Sequence, residues 1–203
     1  MPFEWYSYCV PYLGESESGD GVFVRENNLG LMVGIIDVLG HGPEAAHLAR
    51  QMESYLDARF HADASIYPSL TNELPQLFEQ MHDHFCGSLG AAVTLVFFNL
   101  QTRCFQGVGV GNTLMRKCGD DWRTYFSQPG VVGEMIPTLN VFQGPFGDNE
   151  RFLLTTDGIK ENLDLGLCHF AQYRPLQQFA SFLVEHFGKP HDDMTVIVLE
   201  YNV

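Results

Sequence analysis

The chain has 203 residues, of which 45% are hydrophobic and 13% aromatic, a composition that supports a sizeable core and excludes a disordered or collagen-like protein. Its 25 acidic and 11 basic residues give a net charge of −14, which disfavours binding to nucleic acid or to an anionic membrane surface. We therefore expect one globular domain over residues 1–203 that binds neither.

The N-terminal residues and the cysteines indicate the compartment. Residues 1–5 lack the basic and apolar regions of a signal peptide, and the longest apolar stretch, residues 29–36, is far too short to span a bilayer. The five cysteines are scattered and include no Cys-x-x-Cys pair. This pattern predicts a cytoplasmic protein with free thiols, and it argues against a disulfide scaffold or a zinc site.

In the first half of the chain, the apolar pattern predicts strands and then helices. Apolar runs bounded by turns predict strands over residues 5–12, 22–25 and 29–36, and the last of these is apolar enough to be buried on both faces. Apolar residues at helical spacing predict one helix over residues 44–60, just after Pro43, and a second over residues 71–85.

The second half of the chain predicts mainly strands, with one further helix over residues 175–187. The predicted strands cover residues 91–100, 103–110, 113–117, 122–126, 151–156 and 194–201. Because the strands come in runs and do not alternate with helices, the predicted fold class is an α/β sandwich of the α+β kind. It would consist of two antiparallel β-sheets flanked by helices.

Aspartates stand at the ends of several predicted strands. Asp20 lies in a turn before a strand, Asp37 and Asp157 each end one, and the pair Asp192 and Asp193 precedes the last. Any one of them alone is typical of a turn or cap residue. If the strand ends converge, however, the carboxylates would repel each other unless cations neutralise them. Oxygen ligands favour Mg²⁺ or Mn²⁺, and two such ions about 3.5–4 Å apart can clamp a phosphate and activate a bridging water.

Six short motifs follow one another along the chain: Ser18-Gly19-Asp20, Asp37-Val38-Leu39-Gly40-His41-Gly42, Gly90-Ala91-Ala92-Val93-Thr94, Gly109-Val110-Gly111-Asn112, Thr156-Asp157-Gly158 and Asp192-Asp193-Met194-Thr195. In this order they resemble the metal-dependent PPM-type serine/threonine phosphatases, and within them the bacterial SpoIIE branch. The resemblance extends from about residue 14 to residue 201. It implies the two-sheet PPM fold and metal-dependent hydrolysis of phosphoserine or phosphothreonine.

The resemblance also implies the metal ligands. Asp37 would be the catalytic carboxylate that bridges two Mn²⁺ or Mg²⁺ ions, and the Val38 carbonyl would join one of them. Asp157 and Asp192 would hold the other ion, and Asp20 would bind metal directly or through water.

The substrate-binding residues stay open, with Asn112, His41 and Asp193 as candidate neighbours of the site. His41 could donate a proton to the leaving group or be an ordinary residue at a helix entry. The chain departs from the eukaryotic PPM branch at Glu15, where that branch has a phosphate-binding arginine, and at Gly19, where it has an acidic residue. Phosphate would then be held mainly by metals and water.

The 203 residues leave no room for a sensor domain, so the chain resembles the stand-alone members of the SpoIIE branch. This resemblance implies phosphorylated STAS-domain proteins of a stress-signalling complex as partners and substrates. The net charge of −14 is compatible with a partner that presents basic residues around its phosphorylated site. The oligomeric state stays open.

Two alternatives compete with a metal-dependent phosphatase. A protein with this fold could bind and sequester a phosphoprotein without turnover, although all the core aspartates are present. The spacing from Cys168 to Arg174 matches the Cys-x₅-Arg loop of cysteine phosphatases. That loop must wrap a phosphate with successive backbone N–H groups, whereas this segment has no glycine and carries the bulky Phe170 and Tyr173. We therefore favour the metal-dependent enzyme.

Overall fold

The computed structural model describes residues 2–62 and 73–202, and in these residues the strands form two five-stranded antiparallel sheets. The first sheet contains, in spatial order, β1 (Phe3–Val10), β10 (Met194–Tyr201), β9 (Glu150–Thr155), β6 (Leu114–Lys117) and β7 (Arg123–Phe126). The second contains β2 (Asp20–Asn27), β3 (Gly30–Val38), β4 (Ala91–Asn99), β5 (Cys104–Val110) and β8 (Phe142–Pro145). The predicted sandwich of two antiparallel sheets is confirmed.

Helices cover the outer face of each sheet. They are α1 (Gly42–Ala62), α2 (Glu73–His84), α3 (Leu165–Ala171) and α4 (Leu176–Phe187). One group of buried side chains joins α1 and α2 to the second sheet, another joins α3 and α4 to the first, and a third fills the space between the sheets. The layers therefore run helix, sheet, sheet, helix, which places β3 in the interior. None of the described helices is both long and apolar enough to cross a membrane.

Strand β3 shows why the most apolar run of the sequence became a central strand. It pairs with β2 on one side and β4 on the other, and seven consecutive residues, Gly30 to Ile36, are buried. Met32 and Ile36 pack toward α1 and α2, whereas Val33 and Ile35 pack between the sheets. A strand with both faces covered needs a continuous apolar run, so the interpretation of residues 29–36 is confirmed.

Two elements were not predicted, β8 and α3. The four residues of β8 include Gly144 and end at Pro145, a composition that weakens a strand pattern and is tolerated here because β8 lies at the sheet edge. The seven residues of α3 are too few for a clear helical period. Its signal in the sequence was Asp164, whose side chain accepts hydrogen bonds from the backbone N–H groups of Gly166 and Leu167 as an N-cap. The start of the second predicted helix, residues 71–72, lies outside the described residues.

Candidate active site

The hairpin of β2 and β3 brings Asp20 and Asp37 together. The two residues are direct partners in the register of the antiparallel pair, and side chains in that relation share one face of the sheet with Cβ atoms about 4.5–5.5 Å apart. The backbone N–H of Val38 donates to the Gly19 carbonyl at 3.2 Å, which continues the pairing past the strand end. Both carboxylates therefore stand on hydrogen-bonded backbone at one end of the second sheet.

Thr156 links these carboxylates to the first sheet. Its hydroxyl donates to Asp20 Oδ2 at 2.9 Å and accepts from the backbone N–H of Thr195 at 3.0 Å. Its own backbone N–H donates to the Thr195 carbonyl at 3.1 Å. Asp157 follows Thr156 directly, and Asp192 lies three residues before Thr195. The strand-end aspartates of the two sheets therefore lie close together.

The pKa values show how closely the carboxyl groups converge. Burial raises the pKa of Asp37 to about 9, and the charges of Asp20, Asp157 and Asp192 act in the same direction, while a hydrogen bond from the Asp157 backbone opposes the rise. Burial also raises the pKa of Asp20 to about 7, with the charges of Asp193 and Asp192 adding to it. The pKa of Asp192 is raised by burial first and by the Asp157 charge second. The group is thus a set of mutually repelling carboxyls that a cation would relieve.

Two oxygens of this group are buried without a hydrogen-bond partner, Oδ1 of Asp20 and Oδ2 of Asp37. Buried polar atoms normally have partners, so these two indicate a missing positive group. Among the described residues, no three His, Cys, Asp or Glu side chains form a complete ligand set for an ion. Mg²⁺ keeps several of its waters and takes one or two carboxylates from a protein. The donor set therefore fits a hydrated hard cation and not an all-protein cage.

Asn112 contacts the site directly. Its side-chain amide donates to Asp157 Oδ2 at 2.5 Å. The preceding Gly111 has a φ of +97°, and a Cβ on it would lie only 2.3 Å from the Cβ of Ala92, so glycine is required for the turn that aims Asn112. Asn112, one of the candidate neighbours of the site, thus orients one carboxylate through a hydrogen bond.

The Asp193 side chain anchors the backbone of the loop before Asp20 through hydrogen bonds. The side chain is buried, and its two oxygens accept from the N–H groups of Tyr12 at 2.7 Å and Gly19 at 2.8 Å. A Cβ on Gly19 would lie 2.8 Å from the Cβ of Ala45 and 3.1 Å from Asp193 Oδ2. The acidic residue of the eukaryotic branch therefore has no room here.

Asp193→Ala should lower the free energy of unfolding by about 3 kcal/mol, because the buried N–H of Gly19 and the partly buried N–H of Tyr12 lose a charged acceptor. Urea denaturation of the metal-free protein measures this loss. Asp193→Asn keeps one acceptor oxygen and should lose less. Equal stability of the alanine variant and the unmodified protein would contradict the anchoring role.

His41 is held by two neighbours, Tyr12 and Glu15, whose contacts with it no sequence pattern predicts. Its ring stacks on Tyr12 with centroids 4.3 Å apart and planes 10° from parallel, and its Nδ1 lies 3.0 Å from Glu15 Oε1. The imidazole is half exposed. Glu15, which stands where the eukaryotic branch has its arginine, thus fixes a histidine beside the site.

The cysteine-loop alternative finds no support in the structure. Cys168 is fully buried in the core formed by α3, α4 and the first sheet, and burial raises the pKa of its thiol to about 11. A cysteine nucleophile must be an accessible thiolate. Cys168 is a core residue.

A helix-flanked double sheet with carboxylates at the strand ends is the architecture of the PP2C-type (PPM) phosphatases, and comparison with known proteins agrees. The family model for stage II sporulation protein E (SpoIIE) matches residues 26–202. The chain belongs to this family and is a PP2C-type serine/threonine phosphatase. No curated protein matches the chain significantly.

Several solved structures are similar over nearly the whole chain. A chain from "The bacterial stressosome: a modular system that has been adapted to control secondary messenger signaling" is 26% identical, with a TM-score of 0.83 over 98% of this chain and 100% of that one. RsbX in complex with magnesium is 16% identical, with a TM-score of 0.77 over 98% and 96%. The catalytic domain of the serine/threonine phosphatase PstP with two manganese ions is 15% identical, with a TM-score of 0.75 over 99% of each chain.

Proposed function

We propose that this protein removes phosphate from phosphoserine or phosphothreonine of a signalling protein with the aid of two Mn²⁺ or Mg²⁺ ions. One observation carries the proposal: Asp37 stands opposite Asp20 in the strand register, has a buried oxygen without a hydrogen-bond partner, and is repelled by the charges of Asp20, Asp157 and Asp192. Divalent cations bound there would neutralise the phosphate and supply hydroxide near neutral pH.

The residues that would hold the ions come from both sheets. Asp37 would bridge the two ions, with the Val38 carbonyl beside it. Asp157 and Asp192 would bind from the first sheet, and Asp20 directly or through water. Similar folds solved with magnesium or manganese support this choice of metal.

Neighbouring side chains would keep these ligands in place. The Asn112 amide holds one oxygen of Asp157, and the Thr156 hydroxyl holds one oxygen of Asp20. In Asp20 this bond occupies Oδ2, whereas Oδ1 has no hydrogen-bond partner and would be available to a cation. Partners of this kind restrict the rotation of a ligand and support its affinity for the ion.

We propose phosphorylated STAS-domain proteins of a stress-signalling complex as the substrates, with the cytoplasm as the compartment. The similarity to a stressosome-related chain and to RsbX supports this assignment. The five free cysteines fit a reducing compartment.

The test is to incubate the purified protein and Mn²⁺ with phosphorylated STAS-domain proteins from the same cell and to measure phosphate release. We expect rapid release, and far slower release from an unrelated phosphoprotein. Equal rates of phosphate release from both proteins would indicate a general phosphatase and would contradict the stress-signalling assignment. Binding of the phosphorylated STAS protein without release would instead support the sequestering alternative.

A further inference from the structure

A groove of about 710 Å³ lies beside α1 and the end of α2, outside the carboxylate site. Its lining includes His47, Arg50, Gln51, Tyr55, His84 and Phe85. None of the described residues that line it is acidic, although the chain has 25 acidic and only 11 basic residues. The groove is thus a local exception to the charge of the whole protein.

The groove begins close to the candidate active site. Helix α1 starts at Gly42, directly after the loop that follows Asp37. Two guanidinium nitrogens of Arg50 donate to Glu17 Oε2, each at 3.2 Å, and Glu17 lies in the loop that leads to Asp20. Eight residues of helix span about 12 Å from Gly42 to Arg50, roughly the length of three or four residues of extended peptide. Residues that flank a phosphorylated side chain can therefore reach the groove.

The groove combines hydrogen-bond donors with a rigid aromatic wall. The Tyr55 ring stacks on His84 with centroids 4.7 Å apart and meets Phe85 edge-on at 5.6 Å. Next to the groove, the Arg59 guanidinium lies 5.0 Å from the Tyr55 ring centre and donates to Gln80 Oε1 at 3.1 Å. The stack holds His84 in the groove lining, where Arg50 also lies and can meet a carboxylate.

The ion pair between Arg50 and Glu17 competes only weakly with a bound ligand. The side chains of Arg50 and Glu17 are 58% and 44% exposed. Exposed pairs of this kind contribute little to stability, so a ligand carboxylate can displace Glu17 from Arg50 at small cost.

We propose that this groove binds an acidic segment of the phosphoprotein substrate, next to the phosphorylated residue. The inference rests on the proposed function and adds to it a rule of sequence preference. The net charge of −14 favours a basic partner, but charges farther apart than a Debye length of about 8 Å are largely screened. The groups that line the groove therefore decide which flanking sequence is preferred.

Binding of fluorescent peptides tests the groove separately from catalysis. The peptides carry alanine in place of the phosphorylated serine and differ only in their flanks, which contain aspartate and glutamate, their amides, or lysine. In Mn²⁺ we expect the acidic peptide to bind roughly tenfold more tightly than the amide peptide, a difference that two or three charge contacts supply. Equal affinities, or tighter binding of the lysine peptide, would overturn the proposal.

Three variants sharpen the test. Arg50→Gln should weaken binding of the acidic peptide roughly fivefold, whereas Glu17→Gln should strengthen it about threefold because Arg50 is released. Arg123→Gln is the matched control, since Arg123 is an exposed arginine on β7 that faces Asp121, and it should change nothing. An equal loss in Arg123→Gln and Arg50→Gln would show unspecific attraction and overturn the proposal.

The groove and the proposed function can fail separately. Arg50→Gln should leave hydrolysis of a small aryl phosphate unchanged, because that substrate has no flanking residues. If the enzyme is active but binds all the flanking sequences equally well, the groove proposal is contradicted and the proposed function is not. If the protein has no phosphatase activity but still binds the acidic peptide in an Arg50-dependent way, the groove proposal is supported and the proposed function is contradicted.

Discussion

Asp37→Asn should lower the turnover of an aryl phosphate by roughly a thousandfold in saturating Mn²⁺. The substitution keeps the size of the side chain but removes the charge of the one carboxylate proposed to contact both ions. Metal ions stabilise the charge of a transition state by several kcal/mol, and each 1.4 kcal/mol corresponds to a factor of ten. The measurement is steady-state phosphate release from matched preparations.

Two control variants accompany this experiment. Asp148→Asn changes an exposed aspartate that pairs with Arg103 away from the site, and its turnover should stay within about twofold of the unmodified protein. Cys168→Ser should also leave turnover nearly unchanged, because the buried thiol takes no part. A silent Asp37→Asn together with an inactive Cys168→Ser would contradict the aspartate mechanism and restore the cysteine loop.

Removal of divalent cations should abolish activity and change the pH dependence of stability. The folded-state pKa values of Asp20 and Asp37, about 7 and about 9, lie above the ordinary value of 3.8. The folded protein therefore holds protons that the unfolded chain releases, so the stability of the metal-free protein falls as the pH rises from about 4 to about 9. Mn²⁺ bound at these carboxyls would replace the protons, and it should therefore raise Tm more at pH 8 than at pH 5.

Thermal unfolding in EDTA and in Mn²⁺ at both pH values measures this effect. Asp37→Asn is the control, because a neutral amide at this position should reduce the difference between the two Mn²⁺ shifts. Full activity in EDTA, or equal Tm shifts at the two pH values, would contradict a metal held by these carboxyls.

The sequence predicted the fold well where burial leaves a one-dimensional pattern. Strand β3 is covered on both faces, and its continuous apolar run predicts this burial. The positions of Asp20, Asp37, Asp157 and Asp192 at strand ends were also visible, because strands end where the apolar pattern stops. Short elements such as α3 have too few residues to show a helical repeat of apolar positions. Their formation depends on tertiary contacts, which a local sequence pattern does not predict.

The contacts within the site could not be predicted in this way. Asp192 and Asp193 are adjacent, yet the Asp193 carboxylate bonds the backbone of Tyr12 and Gly19, more than 170 residues away along the chain. The stack of His41 on Tyr12 is another case, since no local pattern relates the end of the first predicted strand to the turn after Asp37. Such contacts follow from how loops of two different sheets meet, and that information lies in the assembled sandwich.

The position of β10 between β1 and β9 also determines when a newly made chain can become an enzyme. Strand β1 is synthesised first, but its partner β10 comes after all the other described strands, with Phe3 paired to Tyr201. Asp192 and the Thr195 backbone that anchors Thr156 arrive with that same strand. Until β10 is inserted between β1 and β9, the other described strands therefore lack both Asp192 and the Thr195 backbone that anchors Thr156.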